Sequence, residues 1–293
     1  MKKSILGVLL VLTIAAVGIA AAPPLTFTFK DIHATKTALE TDTYAVNDFG
    51  TIAGDFVDSS GIQHGMIHGV PTTSFDYSKC GSGIAAYGIN RDCTVAGWCT
   101  TTAGVFIGFT RTKDGTFTDV NYPNGTGTEA TGINDKGDVV GLYFDSTGIQ
   151  HGFLKKAGGG YQSIDVPNES TAAAWGINNA GQITVYAVNS SGEFDSFLYN
   201  GKTFKNINDP NANGTLGTVV HTPNNKGDIS GTYYDSSGNT HGWLLHGGTY
   251  YDVNDPNGAN LSRADGLNDK LEIVGRYTPS TGGNVGYKAT TTQ

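Results

Sequence analysis

The sequence predicts an all-β fold, a six-bladed β-propeller of four-stranded antiparallel blades, on three observations. A segment that reads Ala-x-Gly-Ile-Asn in units two, three and four, with variants in the others, recurs six times, ending at Asn47, Asn90, Asn134, Asn178, Asn224 and Asn268, with spacings of 43, 44, 44, 46 and 44 residues. Glycine accounts for 42 of 293 residues, about twice the usual share of roughly 7%. The sixth unit lacks a fourth strand, and a spare strand-like segment stands ahead of the first unit. A repeat of roughly 40–45 residues that carries four strands is the blade of a propeller.

The third unit shows the elements in order. ATGIN at 130–134 reads as a short strand, and Asp135-Lys136-Gly137 supplies a turn whose glycine can take a positive φ. DVVGLYF at 138–144 is a second strand, followed by the turn Asp145-Ser146-Thr147-Gly148. IQHGFLK at 149–155 is a third strand, and YQSIDV at 161–166 is a fourth, stopped by Pro167. One such meander cannot bury both of its faces, so neighbours must stack on it. The last unit has only three strands, at 264–268, 272–277 and 285–289. LTFTFKDI at 25–32 matches the fourth-strand pattern of FTDVNYP and YQSIDVP. It is expected to close the ring as the outer strand of the last blade, which removes two open edges. An open β-solenoid or two sandwich domains would not need a missing last strand matched by a spare first one.

Ahead of the propeller, expected to span residues 23–293 as a single domain, Lys2 and Lys3 precede an apolar run at 5–19 and Ala20-Ala21-Ala22. This is the pattern of a secretory signal peptide over residues 1–22; a retained membrane anchor is the alternative. The run is short for a spanning helix, which needs about 20 apolar residues. A secreted or periplasmic bacterial protein is expected, with no membrane contact after signal removal, as a monomer. The net charge of −8, spread thinly over the chain, argues against nucleic acid as a partner.

The stretch GINDKGDVVGLYFDSTGIQHGFL at 132–154 resembles the HAF-repeat family of predicted extracellular proteins. The resemblance covers nearly all of the chain after the leader and is clearest in units one, three and five. His-Gly stands here for the family's His-Ala, and the other units lack the histidine. The resemblance implies secretion and a repeated β architecture, and no particular reaction.

His64, His151 and His241 occupy one place in alternate units. On a third strand they lie roughly 10 Å outside the innermost strands, so they cannot share an ion whose ligands sit at about 2 Å. Each is expected to bond within its own blade, to the turn aspartate six residues earlier: Asp58, Asp145 or Asp235. The Asn-Asp-x-Gly turns lack the alternating oxygens and closing Glu of a calcium loop. No metal and no cofactor is expected. Of three cysteines, Cys93 and Cys99 flank one strand and stand some 20 Å apart, so a bridge, if formed, joins Cys80 to Cys99.

Function is sought where the repeat varies. One position of the innermost strand reads Tyr44, Tyr87, Thr131, Trp175, His221 and Asp265 through the six units, while its neighbours barely change. These residues are expected to ring the channel mouth, with Asp42, Glu129 and Arg263 on the loops entering each unit. Three readings follow. A binding protein would take a carbohydrate, other small polar ligand or cell-surface partner on this ring, aromatic faces covering apolar patches and polar groups fixing orientation. A glycoside hydrolase or lyase would use Asp265 and Glu129 as acid and base, with His221 or Arg263 assisting. A structural cell-surface scaffold would use the ring only to fill space. The sequence leans away from an enzyme, because no catalytic motif supports one.

Overall fold

Glycine turns and short β-rich segments alternate through the chain, and each segment becomes a strand. The computed structural model describes residues 25–69, 71–213, 216–258 and 261–292. The expected leader, residues 1–22, lies outside them. The described strands form six four-stranded sheets, each a meander running from an innermost to an outermost strand. The third sheet comprises Gly127–Ile133, Val139–Phe144, Gln150–Lys155 and Tyr161–Ile164. Its innermost strand begins three residues earlier than the repeat implies, so Glu129 lies in a strand. Asp42 and Arg263, in Glu40–Val46 and Ser262–Leu267, are likewise strand residues. The expectation that these three sit on entering loops is therefore corrected. Blade packing buries both faces of the innermost strands, and this favours pairing beyond the short motif.

The last sheet is completed by Thr26–Ile32, which pairs antiparallel with Val285–Thr292 from Thr26↔Thr292 to Ile32↔Gly286. Hydrophobic cores lie between blades, one at each joint. The joint between third and fourth blades packs Val140, Leu154 and Ile164 against Ala172, Ala174 and Val185. The closing joint is smaller: Ile32 and Val274 meet Val46 and Ile52. The disulfide Cys80–Cys99, with Cα atoms 5.7 Å apart, ties the loop entering the second blade to that blade's second strand. Cys93 is unpaired.

The repeating asparagine fastens the wheel. Its Oδ1 accepts two backbone N–H groups of its own turn, as Asn134 does from Lys136 and Asp138, both at 3.0 Å. Its Nδ2 reaches the next blade and donates to the backbone carbonyl of the next asparagine. The six bonds, 47→90→134→178→224→268→47, span 3.0–3.3 Å and close on themselves. A second belt lies beside it, where the residue after each asparagine offers a side-chain oxygen to its neighbour's backbone N–H. Arg91 donates to Asp135, Asp135 to Asn179, Asn179 to Asn225, Asn225 to Asp269 and Asp269 to Asp48. Arg91 has no acceptor to offer in the sixth step, and its guanidinium instead lies over Phe49. These turns line one end of the central channel.

The axis is crowded, which explains the glycine of Gly-Ile-Asn. A Cβ on Gly132 would stand 2.8 Å from the Trp175 carbonyl oxygen and 3.1 Å from Gly176 Cα. Backbones of adjacent blades meet there at Gly132 and Gly176, although Ala45 and Thr222 hold the same place in the first and fifth blades.

Candidate functional site at the channel mouth

The variable position is the extra residue of a β-bulge in every innermost strand. Pairing with the second strand skips from Thr43 to Ala45, Ala86 to Gly88, Ala130 to Gly132, Ala174 to Gly176 and Ala264 to Gly266. In the fifth blade the irregularity runs from Val220 to Pro223 and contains His221. A bulge leaves its extra residue out of the ladder and re-aims that side chain. One backbone device thus presents a different residue from each blade.

Five of the six reach a common space. Tyr44, Tyr87, Trp175, His221 and Asp265 line a cavity of about 200 Å³ with Tyr186, Phe194, Tyr234, Arg263 and Arg276. Thr131 does not, which corrects the expected six-membered mouth. It is buried, and its Oγ1 donates to the carbonyls of Ala174 (2.8 Å) and Val140 (3.3 Å), so the hydroxyl serves the joint with the fourth blade. Glu129 is not among the lining residues of that cavity either. Burial raises its carboxyl to about 7, from an ordinary 4.5.

The cavity has an aromatic side and a charged side. Tyr44 and Tyr87 stack at 4.1 Å between centroids, and Tyr87 meets Trp175 edge-on at 5.6 Å. Trp175 continues to Tyr186 at 5.7 Å and to the His221 ring at 5.5 Å. Phe194 and Tyr234 extend the aromatic surface outward. On the charged side Arg276 lies over the Tyr44 ring at 5.0 Å. Its Nη1 is 3.4 Å from Asp265 Oδ2 and its Nε 3.5 Å from Asp42 Oδ1. Burial opposes the guanidinium's charge, but Asp265, Tyr44 and Asp42 more than offset this and hold its pKa above the ordinary value. Behind it, Asp55 is buried, accepts from Gln63 Nε2, and is raised to about 7 by burial and by Asp42.

Unpartnered polar atoms converge on this region. His221 is 2% exposed, yet neither ring nitrogen has a hydrogen-bond partner among the described residues. Its Nδ1 is 3.2 Å from Asp265 Oδ1 but is not aligned to bond it. Burial lowers the imidazole to about 4, so the ring is neutral at pH 7. Asp42 Oδ1, Asp55 Oδ1 and Trp98 Nε1 are also buried without a hydrogen-bond partner. Such groups normally find partners in native proteins, so a cluster of them points to a ligand or bound water.

Sequence reasoning missed Tyr186, Phe194, Tyr234 and Arg276. They lie on second and third strands and reach the channel through cross-strand register: Tyr186 pairs with Ala173, and Arg276 with Arg263. Recognising that register requires knowing where the bulge falls.

The histidines of the blade edges lie apart from the channel cavity. His64 bonds Asp58 (3.5 Å) and Asp76 (2.8 Å), and His151 bonds Asp145 (3.4 Å) and Asp165 (2.7 Å). His241 bonds Asp235 (3.1 Å), with Asn254 Nδ2 at 3.2 Å on its other nitrogen. Burial opposes protonation of His64 and His151, but the flanking aspartates outweigh it and raise both pKa values. Each ring ties the second turn of its blade to the loop after the fourth strand. No cluster of three or more metal-ligating side chains suited to a metal ion occurs among the described residues.

No protein-family model matches the chain, and no curated protein matches it. Solved structures do. The chain is similar to AofleA from Arthrobotrys oligospora at 10% identity and a TM-score of 0.56, over 91% of this chain and 87% of that one. It is similar to the Aleuria aurantia lectin in complex with Fucα1-6GlcNAc, also at 10% identity and a TM-score of 0.56, over 88% and 96% of the two chains. The SapL1 lectin in complex with α-methyl fucoside gives 10% identity and a TM-score of 0.56, over 89% and 97%. The Aleuria lectin is described as a six-bladed β-propeller. At this identity the likeness shows the fold, and this chain has that fold.

Proposed function

We propose that this protein is a carbohydrate-binding β-propeller that takes a sugar or similar small polar ligand in the cavity at the channel mouth. The observation that carries the reading is the meeting of an aromatic wall, Trp175 with Tyr186 and Tyr87, with buried polar groups that lack partners, His221 foremost. A sugar ring offers an apolar face for the first and hydroxyls for the second. The cavity is small beside the ~300–1,000 Å³ of sites for drug-sized ligands, and suits a single ring. Structural likeness to lectins solved with fucosides supports the reading. Secretion or a periplasmic location, and membership of the HAF-repeat family, accord with it and rest on the sequence.

The hydrolase reading needs Asp265 and Glu129 about one substrate, but Glu129 does not line the cavity that Asp265 lines. A glycan array probed with wild type and Trp175→Ala tests the binding function. Signals from the wild type that fall about tenfold or more in the variant are expected, since about 1.4 kcal/mol of lost stacking suffices. Equal signals from both proteins would remove the site.

A further inference from the structure

We propose that the ligand of this cavity is an acidic sugar, a hexuronate or related carboxylate-bearing saccharide, its carboxylate held by Arg263 and His221 and its ring against Trp175. The inference rests on the carbohydrate-binding function and names the class of sugar.

The charge inventory of the cavity leads to it. Its charged lining residues are Asp265, Arg263 and Arg276. Arg276 is committed to two carboxylates, Asp265 and Asp42, and burial pushes Asp42 toward its neutral form, so Arg276 is fully compensated. Arg263 remains. Among the described residues no carboxylate lies within 4.0 Å of its guanidinium, so it has no ion-pair partner, although it is half-buried. A partly buried guanidinium without a counter-charge is costly, and its planar fork matches a carboxylate in two parallel hydrogen bonds.

His221 supplies the second observation. It is almost fully buried, lines the same cavity and holds both ring nitrogens free of partners. Burial disfavours its protonation, Asp265 favours it, and the Arg263 and Arg276 charges disfavour it; both arginines line the same cavity as the ring. A neutral imidazole still carries one N–H, which can donate to the same carboxylate. A neutral sugar would leave Arg263 without an ion-pair partner, and a cationic ligand would be repelled by it. The aromatic wall of Trp175, Tyr186 and Tyr87 distinguishes a sugar acid from a bare anion, because a bare anion has no face to cover it.

The full chain would be titrated at pH 7 and low salt with D-glucuronate, D-galacturonate, D-glucose, D-galactose and acetate, followed by calorimetry or tryptophan fluorescence. At least one uronate should bind about tenfold or more tightly than its neutral hexose, with acetate weaker still. Arg263→Gln should abolish that preference, and Arg263→Lys should retain part of it. Uronates and hexoses binding alike, or a preference that survives Arg263→Gln, would overturn the inference. Acetate binding as tightly as the uronates would overturn it too, in favour of a bare anion site. If neutral sugars bind through Trp175 without any acid preference, the carbohydrate function stands and this inference falls; if no saccharide binds, both fall. Should Arg263→Gln lose the native near-UV circular dichroism, the wild type decides by salt. Uronate affinity falling with ionic strength while hexose affinity stays level is expected, and equal insensitivity overturns the proposal.

Discussion

At one end of the channel six asparagines meet six carbonyls, and every amide donates into the neighbouring blade. At the other end the corresponding strand position carries Tyr, Tyr, Thr, Trp, His and Asp, and the polar atoms there are left in part without partners. The same segments build both ends, three residues apart. The difference separates what holds the ring from what the ring can hold. Identical residues with satisfied bonds are the fastening, and divergent residues with unsatisfied bonds are the site. The edge histidines belong with the first group, since each is bonded on both nitrogens within its blade.

The comparison can be broken most forcefully at the asparagine end. Asn134→Ala removes the bond to the Asn178 carbonyl and leaves two N–H groups of its own turn without their acceptor, that of Asp138 buried and that of Lys136 partly so. A loss of about 3 kcal/mol in urea unfolding is expected, with sugar binding at 25 °C unaltered in the folded fraction. A loss below about 1 kcal/mol would mean that the belt is incidental.

Next in size is a pH effect at the mouth end. The Glu129 carboxyl is raised from 4.5 to about 7 in the fold, so the folded state keeps a proton that the unfolded chain releases. Its contribution is present below pH ~4.5 and is lost as pH rises to about 7. Asp55, raised to about 7, acts in the same sense. His221, lowered to about 4, acts oppositely, since the unfolded chain takes up a proton there below pH ~6.5. Glu129→Gln should therefore gain about 2 kcal/mol on the wild type between pH 4.5 and 8, read as the difference of two unfolding profiles. A difference that stays flat with pH would place the Glu129 carboxyl in water.

The smallest effect has the most telling sign. His221→Leu replaces a buried ring with two unpartnered nitrogens by an apolar side chain. Unchanged stability, or a gain of about 1 kcal/mol, is expected in thermal unfolding at pH 7, together with loss of sugar binding. A destabilisation beyond about 1 kcal/mol would move His221 to the fastening side of the comparison.

The wheel itself was legible because period, turn glycines and a displaced strand all describe one object. The ring position was legible for the converse reason: Tyr44, Trp175 and Asp265 differ far more than the small residues that flank them. What stayed hidden depends on register. A one-residue bulge decides which side chains of the second strand share the cavity, so Tyr186 and Arg276 could not be placed from spacing alone. Thr131 holds the right position but is short enough to turn its hydroxyl into the joint. The partner of the asparagine amide could not be placed from spacing, because it lies 43–46 residues away, or 221 at the closing joint, in a blade whose contact only the closed ring creates.

The clasp between Thr26–Ile32 and Val285–Thr292 has a consequence for how the molecule could be displayed. Thr26 and Thr292 lie side by side, their hydroxyl oxygens 2.6 Å apart, on the outer rim of a single blade. A tether fused at either point would attach at the outer strands of that blade, away from the innermost strands that line the channel. The same adjacency allows the two ends to be joined and the chain reopened in any exposed turn between blades.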